Sequence, residues 1–344
     1  PKRKRMNNSH LRYNKLVKVL KFWVPMYDWI EISLKYEKDC KGSVKGIIPV
    51  GRYTNFFTGT SWTNGYILNP KTGRKLGANI NDNGWLKISV CPPKFIKGNN
   101  VEKASISETS DLFYELQELL KVDLLSGMVH KLDLTHTAKT DFKPIIYYPH
   151  LCNEPTYKRY EIDTSLYYSS NSRNIKKVIY DKVNEVDKRK TWGKRQNIPQ
   201  EYKDSDLTRF EVKLGSNKTI CQASNKTEFL VRDLFIEENV VNLNSFWNNE
   251  WNSIPKETDI KYDMEKTETP KDLKRYLQNI AYQSIGRLEI EKHINKTSKA
   301  HNWNKKQKYR AKKMLLKEFL DSAEMNEQIA ELDKKFNDME VKWS

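Results

Sequence analysis

In residues 207–214, Phe210, Val212 and Leu214 fall on one side of an extended chain, and Arg209, Glu211 and Lys213 fall on the other. A period of two is the mark of a strand with one buried and one solvated face. The same alternation recurs in residues 128–135, where leucines interleave with Lys131, Asp133 and Thr135, and in residues 85–90, where Leu86, Ile88 and Val90 do so with Trp85, Lys87 and Ser89. Residues 27–34 and 175–180 read as two further strands. The stretch between residues 34 and 85 carries the turn signals Asn64-Gly65, Lys71-Thr72-Gly73 and Asn83-Gly84, and is read as hairpins.

Helical spacing interrupts these strands. Leu112, Phe113, Leu116, Leu119 and Leu120 share one face of a helix expected at 108–121. Residues 228–235 read as another helix. A third opens with Thr269 as N-cap and Pro270 behind it, and runs to about Gly286. Residues 287–291 read as a strand. The order predicts an α+β fold: a mixed or antiparallel sheet with helices packed on one face, plus a helical basic C-terminal tail. The expected organisation is a basic N-terminal helix over 1–25, a main domain over 26–290, built as one unit or as two α+β halves without a visible repeat, and a tail over 291–344.

Charge sharpens the picture. Lys and Arg number 61 against 44 Asp and Glu, a formal net charge of +17, which suits a polyanionic partner. The four cysteines, Cys40, Cys91, Cys152 and Cys221, stand singly and suggest neither a disulfide framework nor a zinc knuckle. With no apolar run of membrane-spanning length and no signal peptide, the expected setting is intracellular and reducing, with no membrane partner. The run Pro1-Lys2-Arg3-Lys4-Arg5 is compatible with a nuclear signal, a DNA-binding arm or a tag. Residues 296–317 hold nine Lys and Arg and no acid. There Lys305, Lys306, Lys308, Arg310, Lys312 and Lys313 are candidate phosphate contacts, unless this segment and the amphipathic helix expected on Leu316, Phe319, Leu320, Ile329, Leu332 and Phe336 simply pack on the body.

If the polar faces of three strands adjoin, they gather Asp133, Glu211, Arg209, Tyr180 and Lys182. A tyrosine hydroxyl is a weak nucleophile at neutral pH, and a neighbouring cation favours its phenolate. Carboxylates such as Asp133, Glu185 and Glu211 suit Mg²⁺ or Mn²⁺. Spacing alone does not separate this reading from one tyrosine among 18 and ordinary surface ion pairs.

Four segments carry a resemblance. They are Met26-Tyr27-Asp28-Trp29-Ile30, Ser89 through Asn100 with its Lys94-Phe95 and Gly98-Asn99-Asn100, the acidic Lys131-Leu132-Asp133-Leu134, and Tyr180-Asp181-Lys182 with Glu185, Arg209 and Glu211. In this order they resemble replication proteins of the filamentous-phage gene II/X type, which are similar to staphylococcal plasmid rolling-circle initiators. The likeness covers residues 26–215 and extends more weakly to about 290. It implies a metal-dependent endonuclease that nicks origin DNA, single-stranded or supercoiled, through Tyr180 and a covalent phosphotyrosine. It also implies Asp133, Asp181, Glu185 and Glu211 as metal ligands, and Lys182 and Arg209 as phosphate contacts. Lys94 and Lys97 are further DNA-binding candidates, Tyr167 and Tyr168 rival nucleophiles, and a host helicase and a homodimer expected partners.

Other classes fit less well. The six histidines form no His-hydrophobe-His metal motif, and the arginines and histidine of a tyrosine recombinase have no match. The main alternative is a non-catalytic DNA- or RNA-binding protein that keeps the fold and stacks bases on its aromatics. A structural chromosome- or capsid-associated protein rests on the basic tail alone.

Overall fold

A computed structural model describes residues 26–36, 46–54, 59–69, 73–170, 174–190, 199–203, 205–259, 269–270, 287–311, 324–325 and 327–337. Ten strands form one sheet: β1 (Met26–Lys35), β2 (Ile48–Thr54), β3 (Ser61–Leu68), β4 (Lys75–Asn81), β5 (Trp85–Val90), β6 (Met128–Lys139), β7 (Lys158–Ile162), β8 (Ser165–Ser170), β9 (Ile175–Asp181) and β10 (Leu207–Leu214). Their order is β2-β3-β4-β5-β1-β6-β10-β9-β8-β7. Every neighbouring pair is antiparallel. Two meanders, β2–β5 and β7–β10, thus flank the central pair β1 and β6. Among the described residues a separate two-stranded ladder pairs Thr258–Asp259 with Glu324–Met325.

Alternation fixes the two faces. Ile30, Ile32, Leu132, Leu134, Phe210, Val212 and Ile179 are fully buried on one of them. Against that face lies the helix Ile106–Leu120, whose Leu112, Phe113, Leu116 and Leu120 are buried. Its N-terminus is set by a capping box between Ser105 and Glu108. Trp247 and Trp251 of the helix Glu237–Asn252 clasp Phe210, with ring centroids 5.1 Å apart in each case. Phe336 of the helix Glu327–Asn337 completes this aromatic cluster, 4.7 Å from Trp251. The end of the tail is therefore a packing element, with Ile329, Leu332 and Phe336 all fully buried.

The helices favour one face, as the pattern predicts, with an exception at one end of the other face. There Val186 of the helix Lys182–Lys190 buries against Val101 and Leu207. Local expectations are corrected in three places. Residues 228–235 form a bridge at Leu230 and a 3-10 turn over Val231–Phe235 instead of a full helix, with Asp233 accepting from the Leu230 amide. Residues 287–291 open a helix, Arg287–Ala300, and not a strand. The helices Asn217–Ser224 and Glu237–Asn252 have no counterpart among the elements read from the sequence. The expected N-terminal helix over 1–25 and nearly all of the helix after Thr269 lie outside the described residues. No helix among the described residues is long and apolar enough to cross a membrane.

Candidate functional site: a charged cleft on the polar sheet face

The polar face carries a cleft of about 770 Å³ above β1, β6, β9 and β10, lined by Asp28, Asp133, Tyr180, Glu185 and Glu211 and by Lys94, Lys131, Lys176 and Lys213. Register explains the convergence. Tyr180 lies opposite Arg209, Lys213 opposite Asp133, and Glu211 opposite Thr135. Cross-strand partners share a face, so three separate sequence segments deliver their polar side chains to one place.

Lys213 sits between the two central carboxylates, its Nζ 2.9 Å from Asp133 Oδ2 and 3.1 Å from Glu211 Oε1. Burial, then the neighbouring Glu211 charge, raises the Asp133 carboxyl above the usual range despite Lys213. Burial alone would lower the Lys213 ammonium, but Glu211 and Asp133 raise it. Two carboxylates crowded together are thus held by one cation.

Asp28 enters the cleft through a bulge. The β1–β6 register shifts between Tyr27 and Trp29, so Tyr27 faces the core and bonds the Leu234 carbonyl at 2.9 Å, while Asp28 turns to the opposite face. Its carboxylate accepts from Asn100 Nδ2 at 3.0 Å and faces Arg209 Nη1 at 3.4 Å. Burial opposes ionisation here, yet Arg209, Lys182 and Asn100 outweigh it and hold Asp28 below the usual carboxylate range. Asn100 is placed by the turn before it. Gly98 ends the helix Pro92–Lys97 in the left-handed region at φ 79°, and Asn99 Oδ1 accepts from the amides of Val101 and Glu102.

Arg209 and Lys182 are fully buried behind the cleft wall rather than lining it. The Arg209 guanidinium donates to Thr137 Oγ1 at 2.7 Å, to Asp28 and to the Asn100 carbonyl. Lys182 Nζ holds Glu185 Oε2 at 2.6 Å and lies 5.8 Å from the Tyr180 ring centroid. Burial, then Arg209, lowers the Lys182 ammonium to about 8. Burial, followed by Glu211, raises the Tyr180 hydroxyl well above its ordinary value.

The remaining sequence candidates scatter. Asp181 lies outside the cleft lining, where its Oδ1 accepts from the Asn184 amide at 2.9 Å and caps the helix Lys182–Lys190. Tyr168 is a core residue whose hydroxyl donates to the carbonyls of Leu151 and Cys152. Tyr167 stacks on Tyr160 at 5.2 Å on the cleft-side face, nearer the sheet edge. Lys97 pairs with Glu108 at 3.4 Å. Lys305, Lys306 and Arg310 are exposed and Lys308 half-buried, while Lys312 and Lys313 lie outside the described residues. Sequence reasoning missed Asp28, Asn100 and Lys213 as site residues. Lys213 shares a face with Glu211 in the alternation, whereas Asp28 has the wrong parity until the bulge is known.

A single broad sheet with an open face, and a lysine-rimmed acidic cleft holding a tyrosine on it, defines a class of proteins suited to a phosphate-bearing partner. The phage CRI family model, which describes the N-terminal part of a replication-associated protein, matches residues 26–224, and the chain belongs to that family of phage replication initiators. The resemblance read from the four sequence segments is borne out, and the family implies DNA as the partner. No curated protein matches the chain.

Proposed function

We propose that this initiator nicks one DNA strand with Tyr180 and keeps the cut end as a phosphotyrosine for rolling-circle replication. The observation that carries this reading is the presence of Tyr180, Asp133, Glu211 and Glu185 in one cleft rimmed by lysines. Lys94, Lys131, Lys176 and Lys213 are positioned to neutralise a phosphodiester backbone there. In the reacting step the Tyr180 oxygen bonds to phosphorus and one bond from phosphorus to a deoxyribose oxygen breaks. The phenolic proton passes to a carboxylate lining the same cleft, such as Glu211, and the freed sugar oxygen takes a proton from water. The phosphodiester energy is conserved, so the strand can be rejoined.

Arg209 acts as a positioning residue, tying Asp28 and the 98–102 turn to β6 and β10 beneath Tyr180. Lys182 orients Glu185 in the same way.

The chemistry of Asp133 and Glu211 fits Mg²⁺ or Mn²⁺. They offer hard oxygens, carry a raised Asp133 carboxyl between them, and already hold a cation, the Lys213 ammonium. Among the described residues no three-ligand cluster of His, Cys, Asp and Glu forms. Two protein carboxylates suit an ion that keeps water and phosphate oxygens as its other ligands. Such an ion, when bound, would neutralise charge at the scissile phosphate and favour the phenolate.

Incubation with single-stranded and supercoiled DNA carrying the phage origin, with Mg²⁺ or Mn²⁺, is expected to give a nick. Both the nick and a denaturation-resistant protein–DNA species should vanish in Tyr180→Phe and with EDTA. Tight binding without nicking on every substrate would instead favour a non-catalytic DNA-binding protein of the same fold.

A further inference from the structure

The cleft-side face of the β2–β5 meander has no role in the chemistry above, yet its composition is unusual. Following the register outward from the cleft, this face carries Trp85, Tyr66, Trp62 and Tyr53. Trp85 is 38% exposed and Tyr53 is 48% exposed, and Trp29 at the cleft margin is 39% exposed. Two lysines sit beside these rings: Lys75 Nζ is 4.1 Å from the Tyr66 ring centroid and Lys35 Nζ 5.8 Å from that of Trp85. Strands β2 to β5 contain no carboxylate, and the neighbouring Glu31 on β1 is already held by Lys87 at 2.9 Å and Lys131 at 3.3 Å. Between Tyr66 and Ser89 the register places Gly77. A Cβ there would meet nothing closer than 3.9 Å and its φ is not positive, so neither crowding nor backbone conformation requires a glycine. Its effect is a flat floor beside an aromatic ring.

We propose that this face is a stacking platform for single-stranded DNA leading to or from the cleft. Flat rings interleaved with lysines suit unpaired bases, each of which has a free π-face, and a phosphate backbone alongside. Duplex bases are already stacked on one another and gain nothing from such rings. Protein interfaces, by contrast, are depleted in lysine. From β3 to β6 the face spans four strand spacings, roughly 19 Å, so a strand seated on Tyr66 can continue into the cleft. The inference rests on the DNA-handling reading above but not on which tyrosine is the nucleophile.

The test is fluorescence anisotropy with the full chain carrying Tyr180→Phe, which removes nicking from the readout. The probes are labelled oligothymidylate of about 16 nucleotides and a duplex of equal length. Tyr53→Ala and Trp85→Ala remove exposed rings and should leave the thermal midpoint in place. Each is expected to weaken single-strand binding about tenfold and duplex binding less than about twofold, while Trp85→Phe retains most of the affinity. Gly77→Leu should also weaken single-strand binding by raising the floor. Single-strand affinity unchanged in the alanine variants, equal losses for duplex and single strand, or no single-strand binding by the parent would each overturn the platform. A failed nicking assay beside intact ring-dependent binding would overturn only the Tyr180 reading.

Discussion

Asp28 shows how much one side chain can organise. It is 8% exposed, and its ion pair with a fully buried Arg209 ties β1 to β10 across the sheet. Replacing it with Asn keeps the shape but leaves the guanidinium without its counter-charge, a change expected to cost about 3–5 kcal/mol. Urea unfolding of Asp28→Asn measures this directly, and an unchanged midpoint would show that Thr137 and the Asn100 carbonyl suffice. His136 makes a second residue-scale prediction. Its Nδ1 faces Lys103 Nζ at 2.8 Å, and burial, then Lys103 and Arg209, lowers its pKa well below 6.5. The folded state keeps this ring neutral while the unfolded chain takes up a proton below about 6.5, so stability falls as pH drops through that range. His136→Gln should flatten the slope of unfolding free energy between about pH 7 and 5 relative to the parent. Parallel slopes would contradict the assignment.

Elements are legible in the sequence where one face is buried. The alternation in β5, β6 and β10 is visible because their core-facing side chains are apolar and pack under the helices while the alternate positions stay mostly polar, and the leucine stripe of Ile106–Leu120 for the same reason. The helix Glu237–Asn252 escapes notice although Val240, Leu243, Trp247 and Trp251 follow helical spacing, because asparagines and glutamates separate them. Leu288 and Ile290 lie two apart and read as a strand, but they begin a helix. Candidate residues on regular strands converge as their alternation implies, whereas a bulge and an Asx turn, which have no periodic signature, place Asp28 and Asn100. Lys177 is a polar residue on the core side of β9 that the hydrophobic pattern does not single out. Fully buried, it holds Glu154 at 2.6 Å and Glu250 at 2.9 Å, and so fastens Glu237–Asn252 to β9. Lys177→Ala removes the counter-charge of both carboxylates, leaving Glu250 with the Tyr157 hydroxyl at 2.7 Å, and should cost about 3–5 kcal/mol by urea unfolding. A loss below about 1 kcal/mol would mean that the helix is held by Trp247 and Trp251 alone.

At the scale of the molecule, one sheet divides the work. Helices, including the end of the tail, cover one face, and the other presents the cleft and most of the flanking aromatics. The positive balance of +17 and the exposed Lys305, Lys306 and Arg310 then bear on affinity more than on chemistry. Their joint replacement by Ala should lower the slope of log K against log salt by up to about 0.9 for each duplex phosphate no longer neutralised. An unchanged slope would remove this segment from the DNA interface. The central claim is that one residue takes the phosphate. Its most direct measurement is mass spectrometry of the nicked complex after nuclease and protease digestion, locating the nucleotide-bearing peptide. The predicted result is an adduct on Tyr180; a nucleotide on Tyr167, or on any residue outside the cleft, would contradict it.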